Sequence, residues 1–463
     1  MFIKKITIKN FRLFQSESDF EIDNINTPDG TNEGSGLNVF VGENGSGKTA
    51  LLDAFALPVL EYKTENFGIE NFNDPSKKVE VNIYSKEEFE VDGTMPKGSF
   101  KAKGFSFEAG VRSKESKTYL SSIVVNDQKF IRVDPLKPKD NSPDLRVSVN
   151  NPFKGKRFSE NDVLFLDRNR LFQTRSGNFN TTRFDRLMED FSYQYLKKAT
   201  IENLNDDLDS KIKKDKVENK FLSEAVKKFQ EISGSQIKLD FLDNYEPFKN
   251  AFFAARKNNN QQISLNNLGS GYEMIFALLY SFYLAQQSGK QLIVLIDEPE
   301  LHLHPRLQGK FVEFLLEFSK KAQIILASHS PLLVKQLSFN EKVKISVIEN
   351  NGQRVSEIDK RVLSYISANE TNFLAFNLAT EEYHNELYEE LKSMYGEDKK
   401  YKPFDNDFFV TEKGEPKNSP WMGNQNEVSD HTFIRNQIHH QKENGKTEYS
   451  VLKASIEKMR GFF

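Results

Sequence analysis

A glycine-rich loop at Gly42–Thr49 carries the residue types that bind phosphate. Its sequence, Gly-Glu-Asn-Gly-Ser-Gly-Lys-Thr, lets backbone N–H groups turn inward around phosphate oxygens at a helix N-terminus. Lys48 adds a positive charge, and the Thr49 hydroxyl is placed to ligate Mg²⁺. An apolar strand at 37–41 and a helix at 50–56 flank the loop, as such a site requires. The predicted nucleotide contacts are Asn44, Gly45, Gly47, Lys48 and Thr49.

Two adjacent carboxylates end an apolar stretch much later in the chain. Residues 291–296 are typical of a buried strand, which delivers Asp297 and Glu298 at its C-terminal end, where parallel sheets bind ligands. Asp297 would complete the Mg²⁺ shell, and Glu298 would polarise the attacking water as general base. A second apolar strand, 323–327, leads to His329 in the same way. His329 is then placed to contact the γ-phosphate; the alternative is a strand-end histidine satisfied by the backbone.

Three segments together resemble a known family. Lys4–Phe14, the glycine-rich loop and Asp297–Pro305 are similar to the ABC-type ATPase heads of the SMC, RecF and overcoming-lysogenization-defect group, over residues 1 to about 355. The resemblance implies an α/β fold: an ABC-type P-loop ATPase head with a mixed sheet and flanking helices. It also implies ATP and Mg²⁺ as cofactors.

The resemblance further implies a composite site. In such heads the glycine-rich signature of one subunit closes over the nucleotide held by another, and Leu268–Gly271 occupies that place. Gly269 stands where the family usually has serine, so Ser270 is the expected hydroxyl donor, beside Gly271. We therefore expect a homodimer or higher oligomer through the heads. The family's Mg²⁺-sensing glutamine follows a strand like 163–166, which makes Gln173 the candidate; a solvated loop glutamine is the alternative.

Composition sets limits on the rest. The 463 residues are enough for two or three domains, and the net charge of −3 gives no overall attraction to nucleic acid. The absence of cysteine excludes disulfides and thiol catalysis. No apolar stretch reaches the ~20 residues of a membrane span, and the first residues lack the apolar core of a signal peptide. We expect a cytoplasmic protein without a membrane partner.

The predicted domains are three. Residues 1–182 and 233–355 would form the ATPase head, and 183–232 a charged helical insert that faces DNA, another subunit or only solvent. The composition changes after Gly352, and 356–463 is predicted to be an all-α C-terminal domain. In it, helices are expected at 372–395, 432–440 and 449–459, with a polar connection over about 396–430.

The C-terminal domain contains a second candidate site. Arg435 and His440 resemble the Arg-polar-x-x-x-His motif of HEPN ribonuclease domains, which are helical and usually dimeric. An arginine can hold the scissile phosphate, and a histidine can activate the 2′-OH without a metal. His439 lies on the same helix face as Arg435 and is a second candidate. His384, on a different helix, could complete the site or only contribute to packing. A structural bundle and a docking surface for a separate effector are the alternatives.

Three functional hypotheses follow. The first is a sensor ATPase, similar to bacterial anti-phage ATPases and anticodon nucleases, that controls a C-terminal ribonuclease acting on RNA, including tRNA. The second is an ATPase scaffold that holds a separately encoded nuclease or toxin, with an effector or inhibitor protein as its partner. The third is a RecF-like DNA-repair ATPase, with DNA as its partner.

Overall fold

We describe the protein from a computed structural model. The residues that the structure describes are 2–58, 67–94, 97–111, 119–125, 128–131, 133–135, 147–149, 163–166, 171–173, 180–182, 221–233, 237–240, 253–256, 262–264, 270–287, 291–349, 354–421, 425–440 and 447–463. The chain divides into two compact units, Met1–Ser356 and Glu357–Phe463. Residues 183–220 of the predicted insert lie outside the described residues.

The strands are β1 (Ile3–Lys9), β2 (Phe20–Ile22), β3 (Leu37–Val41), β4 (Val79–Thr94), β5 (Lys97–Val111), β6 (Tyr119–Val125), β7 (Gln128–Ile131), β8 (Val133–Pro135), β9 (Val147–Val149), β10 (Val163–Leu166), β11 (Leu171–Gln173), β12 (Asn180–Thr182), β13 (Ile237–Asp240), β14 (Phe253–Arg256), β15 (Gln262–Ser264), β16 (Ile293–Asp297), β17 (Gln323–Ala327), β18 (Lys344–Glu349), β19 (Arg354–Glu357), β20 (Ser419–Pro420) and β21 (Asn426–Val428). The α-helices are α1 (Lys48–Ala56), α2 (Phe221–Ser233), α3 (Ser270–Gln287), α4 (Pro305–Phe318), α5 (Pro331–Leu337), α6 (Ala368–Phe376), α7 (Glu381–Gly396), α8 (Tyr401–Phe404), α9 (Asp430–His439) and α10 (Tyr449–Arg460). A π-helix spans Asp405–Glu412, and short 3-10 turns span Ile69–Asn71 and Pro299–His302.

A six-stranded sheet in the first unit has the order β10-β16-β17-β3-β18-β19, and its first five strands are parallel. Every residue of β3, β16 and β17 is buried. Such continuous apolar strands are typical of parallel sheets covered on both faces. Because Asp297 pairs with Ala327, and Ala327 with Phe40, the carboxyl ends of these three strands lie side by side.

A second sheet, with the order β2-β1-β4-β5-β6-β7, is antiparallel. Helix α1 lies in one apolar core with residues of both sheets, including Leu51 and Phe55 of α1, Ile8 of β1 and Leu295 of β16. The first turn of α1, which begins at Lys48, is therefore fixed by packing. The first unit therefore has the α/β fold, with a mixed set of strands and flanking helices, that the sequence predicts.

The second unit is mainly helical. Helices α7, α9 and α10 share a core that includes Tyr383, Leu387, Tyr388, Ile434 and Ile456. The helices predicted at 432–440 and 449–459 are confirmed as α9 and α10. The helix predicted at 372–395 is instead two helices, since Asn377 adopts a left-handed conformation (φ 54°) and ends α6.

The predicted helical character of the C-terminal domain is confirmed, and the structure adds one short pair of strands to it. Strands β20 and β21 pair as a short antiparallel ladder, with Ser419 opposite Val428. Pro416 and Pro420 cannot continue a helix through this stretch, which explains the change of structure. The predicted polar connection is also partly helical, because α8 and the π-helix bury Phe404, Phe408 and Phe409 in the core.

None of the helices in the described part of the chain is long and apolar enough to span a membrane.

Candidate nucleotide site

The glycine-rich loop joins the end of β3 to the start of α1. Gly42 has φ 146°, and a Cβ atom on it would lie 2.5 Å from the carbonyl oxygen of Ile348, so only glycine fits there. The Nζ atom of Lys48 donates to the carbonyl oxygens of Gly42 at 3.0 Å and Glu43 at 2.8 Å, and to Ser46 Oγ at 3.2 Å. The predicted phosphate-binding lysine is thus held inside its own loop.

Burial governs the electrostatics of this lysine. Lys48 is only 4% exposed, and burial lowers the pKa of its amino group to about 8, although the Glu298, Asp297 and Glu300 carboxylates oppose the shift. The predicted cation thus interacts electrostatically with the predicted acids Asp297 and Glu298, and also with Glu300.

The predicted Mg²⁺ ligands Thr49 and Asp297 are in direct contact. Thr49 Oγ1 donates to Asp297 Oδ2 at 2.9 Å, although the two residues are 248 positions apart. A hydroxyl and a carboxylate oxygen at the end of parallel strands are ligands that Mg²⁺ takes. The pair therefore fits a Mg²⁺ ion, which these two residues would hold.

Glu298 and His329 form a second contact beside the first. His329 Nε2 lies 3.3 Å from Glu298 Oε1, at the ends of the neighbouring strands β16 and β17. Both side chains are partly exposed, at 28% and 12%. A carboxylate that reaches solvent and is oriented by an imidazole is suited to accept a proton from water.

The remaining predicted residues of the head are placed as follows. Ser270 begins α3, and its side chain lies outside the described residues, as do Leu268 and Gly269. Gly271 is buried, and a Cβ atom on it would lie 2.3 Å from the carbonyl oxygen of His302. Gln173 is the last residue of β11, and its side chain is likewise outside the described set. The roles of Ser270 and Gln173 therefore stay predictions.

Glu300, to which the sequence analysis gave no individual role, also lies at the site. Glu300 Oε1 accepts from Ser328 Oγ at 3.0 Å and from the backbone N–H of His329 at 2.5 Å. The visible signal was a second glutamate two residues after Glu298. Its bond partners could not be read from the chain, because they depend on which strand lies beside β16.

In the second unit, Arg435 packs against aromatic and acidic neighbours. Its guanidinium lies 3.7 Å from the centre of the Tyr401 ring and 3.5 Å from Glu389 Oε1, and its side chain is 11% exposed. His439 Nε2 lies 2.9 Å from Asn385 Oδ1, whereas His440 is exposed at the end of α9. Burial and the charge of Arg435 lower the pKa of His439.

His384 does not join these residues. It is fully buried, and its Nε2 atom lies 2.9 Å from Ser455 Oγ, which also contacts His431 Nδ1 at 2.6 Å. Burial lowers the pKa of His384 well below its ordinary value and that of His431 to about 4, so both rings are neutral near pH 7. The burial and the contact with Ser455 agree with the packing alternative for His384, which connects α7 to α10.

The loop, the contact between the predicted Mg²⁺ ligands and the adjacent glutamate are the arrangement expected of a P-loop ATPase site, and sequence comparison agrees with it. A family model described as "AAA domain, putative AbiEii toxin, Type IV TA system" matches residues 37–335, and the chain belongs to this family.

Two relatives and one solved structure are also similar to the chain. An OLD nuclease of Thermus scotoductus is 24% identical over 79% of this chain and 64% of its own length. A Septu protein PtuA of Bacillus mycoides is 24% identical over 78% of this chain and 42% of its own length. A crystal structure of the SmcHead bound to the C-winged helix domain of ScpA matches with a TM-score of 0.43 and 19% identity, covering 77% of this chain and 98% of that one. The chain thus spans less than two thirds of either relative.

Proposed function

We propose that the protein is an ATP-hydrolysing sensor of a bacterial anti-phage defence or toxin system. The observation that carries the ATPase part is the pair of contacts at the ends of β16 and β17, Thr49 with Asp297 and Glu298 with His329. The defence context is supported by the similarity to the OLD nuclease and Septu protein PtuA. It is also supported by the resemblance of the motifs to the overcoming-lysogenization-defect group.

The residues would divide the reaction between them. The loop N–H groups and Lys48 bind and orient the phosphates. Thr49 and Asp297 hold Mg²⁺, which when bound neutralises charge on the β- and γ-phosphates. Glu298 takes a proton from the attacking water. The water oxygen forms a bond to the γ-phosphorus, and the bond between that phosphorus and the ADP oxygen breaks. His329, which lies 3.3 Å from Glu298, would orient it and would contact the γ-phosphate.

Three variants test this assignment by ATP binding and by release of phosphate. Glu298→Gln should bind ATP with an affinity close to wild type and hydrolyse it at least about a hundredfold more slowly, as expected for loss of a general base. Lys48→Ala should lose binding itself. Glu43→Gln, which changes an exposed residue of the same loop, is the control. Wild-type turnover in Glu298→Gln would overturn the general-base role.

For the second unit, we propose a metal-independent ribonuclease centred on Arg435 and His440. Arg435 would hold the scissile phosphate, and His440 would take the proton of the 2′-OH. The 2′-oxygen then attacks phosphorus, the bond to the 5′-oxygen breaks, and that oxygen takes up a proton from water. The products are a 2′,3′-cyclic phosphate and a 5′-hydroxyl. Support comes from the exposure of His440 beside a helix that carries Arg435 and His439.

A second candidate, an assembly module for a separately encoded nuclease, has its own observations. Arg435 stacks on Tyr401 and has little free surface, so it is poorly placed to bind phosphate without rearrangement. Residues 357–463 also contain 19 acidic against 14 basic side chains, a net charge of −5 that repels RNA. The partner would then be a protein.

RNA end sequencing separates the two candidates. The wild type, Arg435→Ala and His440→Ala would be expressed in a bacterial host, with and without phage challenge, and 5′-hydroxyl ends would be mapped. A ribonuclease gives new site-specific ends that disappear in both variants and persist in Lys417→Ala, an exposed control. An uncleaved RNA pool in every case would reject the ribonuclease and favour the assembly module.

The third hypothesis, DNA repair, predicts ATP hydrolysis stimulated by DNA.

A further inference from the structure

Glu300 is a carboxylate beside the nucleotide site with a set of contacts that points to a role in catalysis. It lies in the Pro299–His302 turn, two residues after Glu298. One of its oxygens, Oε1, accepts two hydrogen bonds from the neighbouring loop, from Ser328 Oγ and from the backbone N–H of His329. The other oxygen, Oε2, is buried and has no hydrogen-bond partner among the described residues. Glu300 thus holds the loop that contains His329 through two hydrogen bonds.

Further hydrogen bonds, made by Ser330 and Gln308, connect the same loop to α4. The N–H of Ser330 donates to Ser328 Oγ at 3.0 Å, and Ser330 Oγ bonds Gln308 Oε1 of α4 at 3.2 Å. Gln308 Nε2 in turn donates to the carbonyl oxygen of Leu303 at 3.3 Å, just beyond the turn that contains Glu300. These hydrogen bonds lead from Glu300 through the loop after β17 and α4 back to Leu303. They fix the position of that loop relative to the turn after β16.

The consequence concerns the contact between His329 and Glu298. The two side chains start on neighbouring strands, and their 3.3 Å separation depends on the backbone position of His329. The backbone N–H of His329 donates directly to Glu300 Oε1, so Glu300 bears on that position. We propose that Glu300 is a positioning residue for ATP hydrolysis, which holds the imidazole of His329 against the general base Glu298. This role rests on the proposed hydrolysis.

The geometry also says which property of Glu300 matters. Both bonds use Oε1 as an acceptor, and a glutamine side chain offers the same acceptor. Burial raises the pKa of Glu300, although its hydrogen bonds oppose the shift. The two hydrogen bonds themselves need an acceptor, which does not have to be charged. Glutamine should therefore replace Glu300, and alanine should not.

The test compares Glu300→Ala, Glu300→Gln and the exposed α4 control Glu313→Ala by kcat and KM for ATP. We expect Glu300→Ala to lower kcat about tenfold or more while KM changes by less than about threefold, as for an interaction that acts in the transition state. Glu300→Gln and Glu313→Ala should keep most of kcat. Wild-type kcat in Glu300→Ala, or equal loss in Ala and Gln, would overturn the proposal.

A double-mutant cycle with His329→Ala separates positioning from general destabilisation. If Glu300 acts through His329, the double variant Glu300→Ala/His329→Ala should be no slower than His329→Ala alone. Multiplied losses would contradict the proposal. Hydrogen exchange gives a reading without turnover: the His329 amide should exchange faster in Glu300→Ala and as slowly as wild type in Glu300→Gln. If the His329 amide exchanges as expected in both Glu300 variants but the wild type does not hydrolyse ATP, the proposed ATPase function is wrong. The contact between Glu300 and His329 would still stand.

Discussion

Glu298 adopts a backbone conformation that is rare outside glycine, with φ 46° and ψ 57°. Such a conformation costs on the order of 1–3 kcal/mol and is maintained by the surrounding structure, here by the bond from its N–H to the carbonyl oxygen of Ala327 at 2.9 Å. Because Glu298 directly follows Asp297, the last residue of the strand, this conformation lets the two adjacent acids face different partners. Asp297 contacts Thr49, and Glu298 contacts His329.

The ionisation of Lys48 predicts a pH dependence for ATP binding. The amino group binds phosphate in its charged form, and burial lowers its pKa to about 8 from an ordinary 10.5. The charged form is therefore dominant below pH 8 and is lost as the pH rises. We expect the affinity for ATP to fall by up to about tenfold per pH unit above that point, because one proton is linked to binding.

Calorimetry in buffers of different ionisation enthalpy would measure this linkage directly. Uptake of part of a proton on ATP binding at pH 8.5 is the expected result, since the phosphates restore the charged form of Lys48. Lys48→Arg, which stays charged at this pH, should take up none. A pH-independent affinity between pH 7.5 and 9.5 in the wild type would show that the amino group keeps its ordinary pKa.

A buried acid in the second unit predicts a large loss of stability. Asp405 is fully buried and accepts hydrogen bonds from Ser429 Oγ at 2.5 Å, Ser429 N at 3.1 Å and Thr432 Oγ1 at 2.6 Å, at the start of α9. Asp405→Asn places an amide group against these donors. We expect a loss of about 1.5–3 kcal/mol in the free energy of unfolding of this unit, measured by urea denaturation. Asp407→Asn, whose side chain is 51% exposed, should change it by less than about 0.5 kcal/mol.

At the scale of elements, the sequence predicts the head better than the tail for a physical reason. The strands before Lys48, Glu298 and Ser328 are continuous apolar runs that end at polar motifs, and both their burial and their common edge follow from that pattern. The bonds of Glu300 do not follow, since they depend on the order of the strands. In the tail, the stacking of Arg435 on Tyr401 joins residues on two helices and leaves no local signal.

Helix α3 and the Pro299–His302 turn meet at one close approach, which makes Gly271 a second test. A Cβ atom at Gly271 would lie 2.3 Å from the backbone oxygen of His302, so Gly271→Ala must shift α3 or the turn that starts at Glu298. We expect ATP hydrolysis to fall about tenfold or more, which corresponds to about 1.4 kcal/mol, with ATP binding retained. The measurement is phosphate release beside nucleotide affinity.

Gly309→Ala in α4 is the matched control for this substitution. A Cβ atom there would meet its nearest neighbour, Gln336 Nε2, at 3.6 Å, which is an ordinary contact. Alanine also favours the helix by about 1 kcal/mol over glycine. Gly309→Ala should therefore hydrolyse ATP like the wild type. Equal activity in Gly271→Ala would mean that the turn tolerates displacement and that its position does not limit hydrolysis.

At the scale of the whole molecule, the proposed head-to-head dimer predicts that inactive chains can complement each other. If Ser270 and Gly271 of one chain close on Lys48 of another, a mixed dimer of Lys48→Ala with Ser270→Arg has one site with both defects and one intact site. Equal mixing would then restore about a quarter of wild-type turnover if the sites act independently, because half of the dimers are mixed and each has one working site of two. Glu298→Gln with ATP should at the same time sediment as at least twice 53.4 kDa. If the protein stays a monomer with ATP and the mixture is inactive, the whole site lies within one chain. The assignment of Ser270 to the nucleotide of another chain would then be wrong.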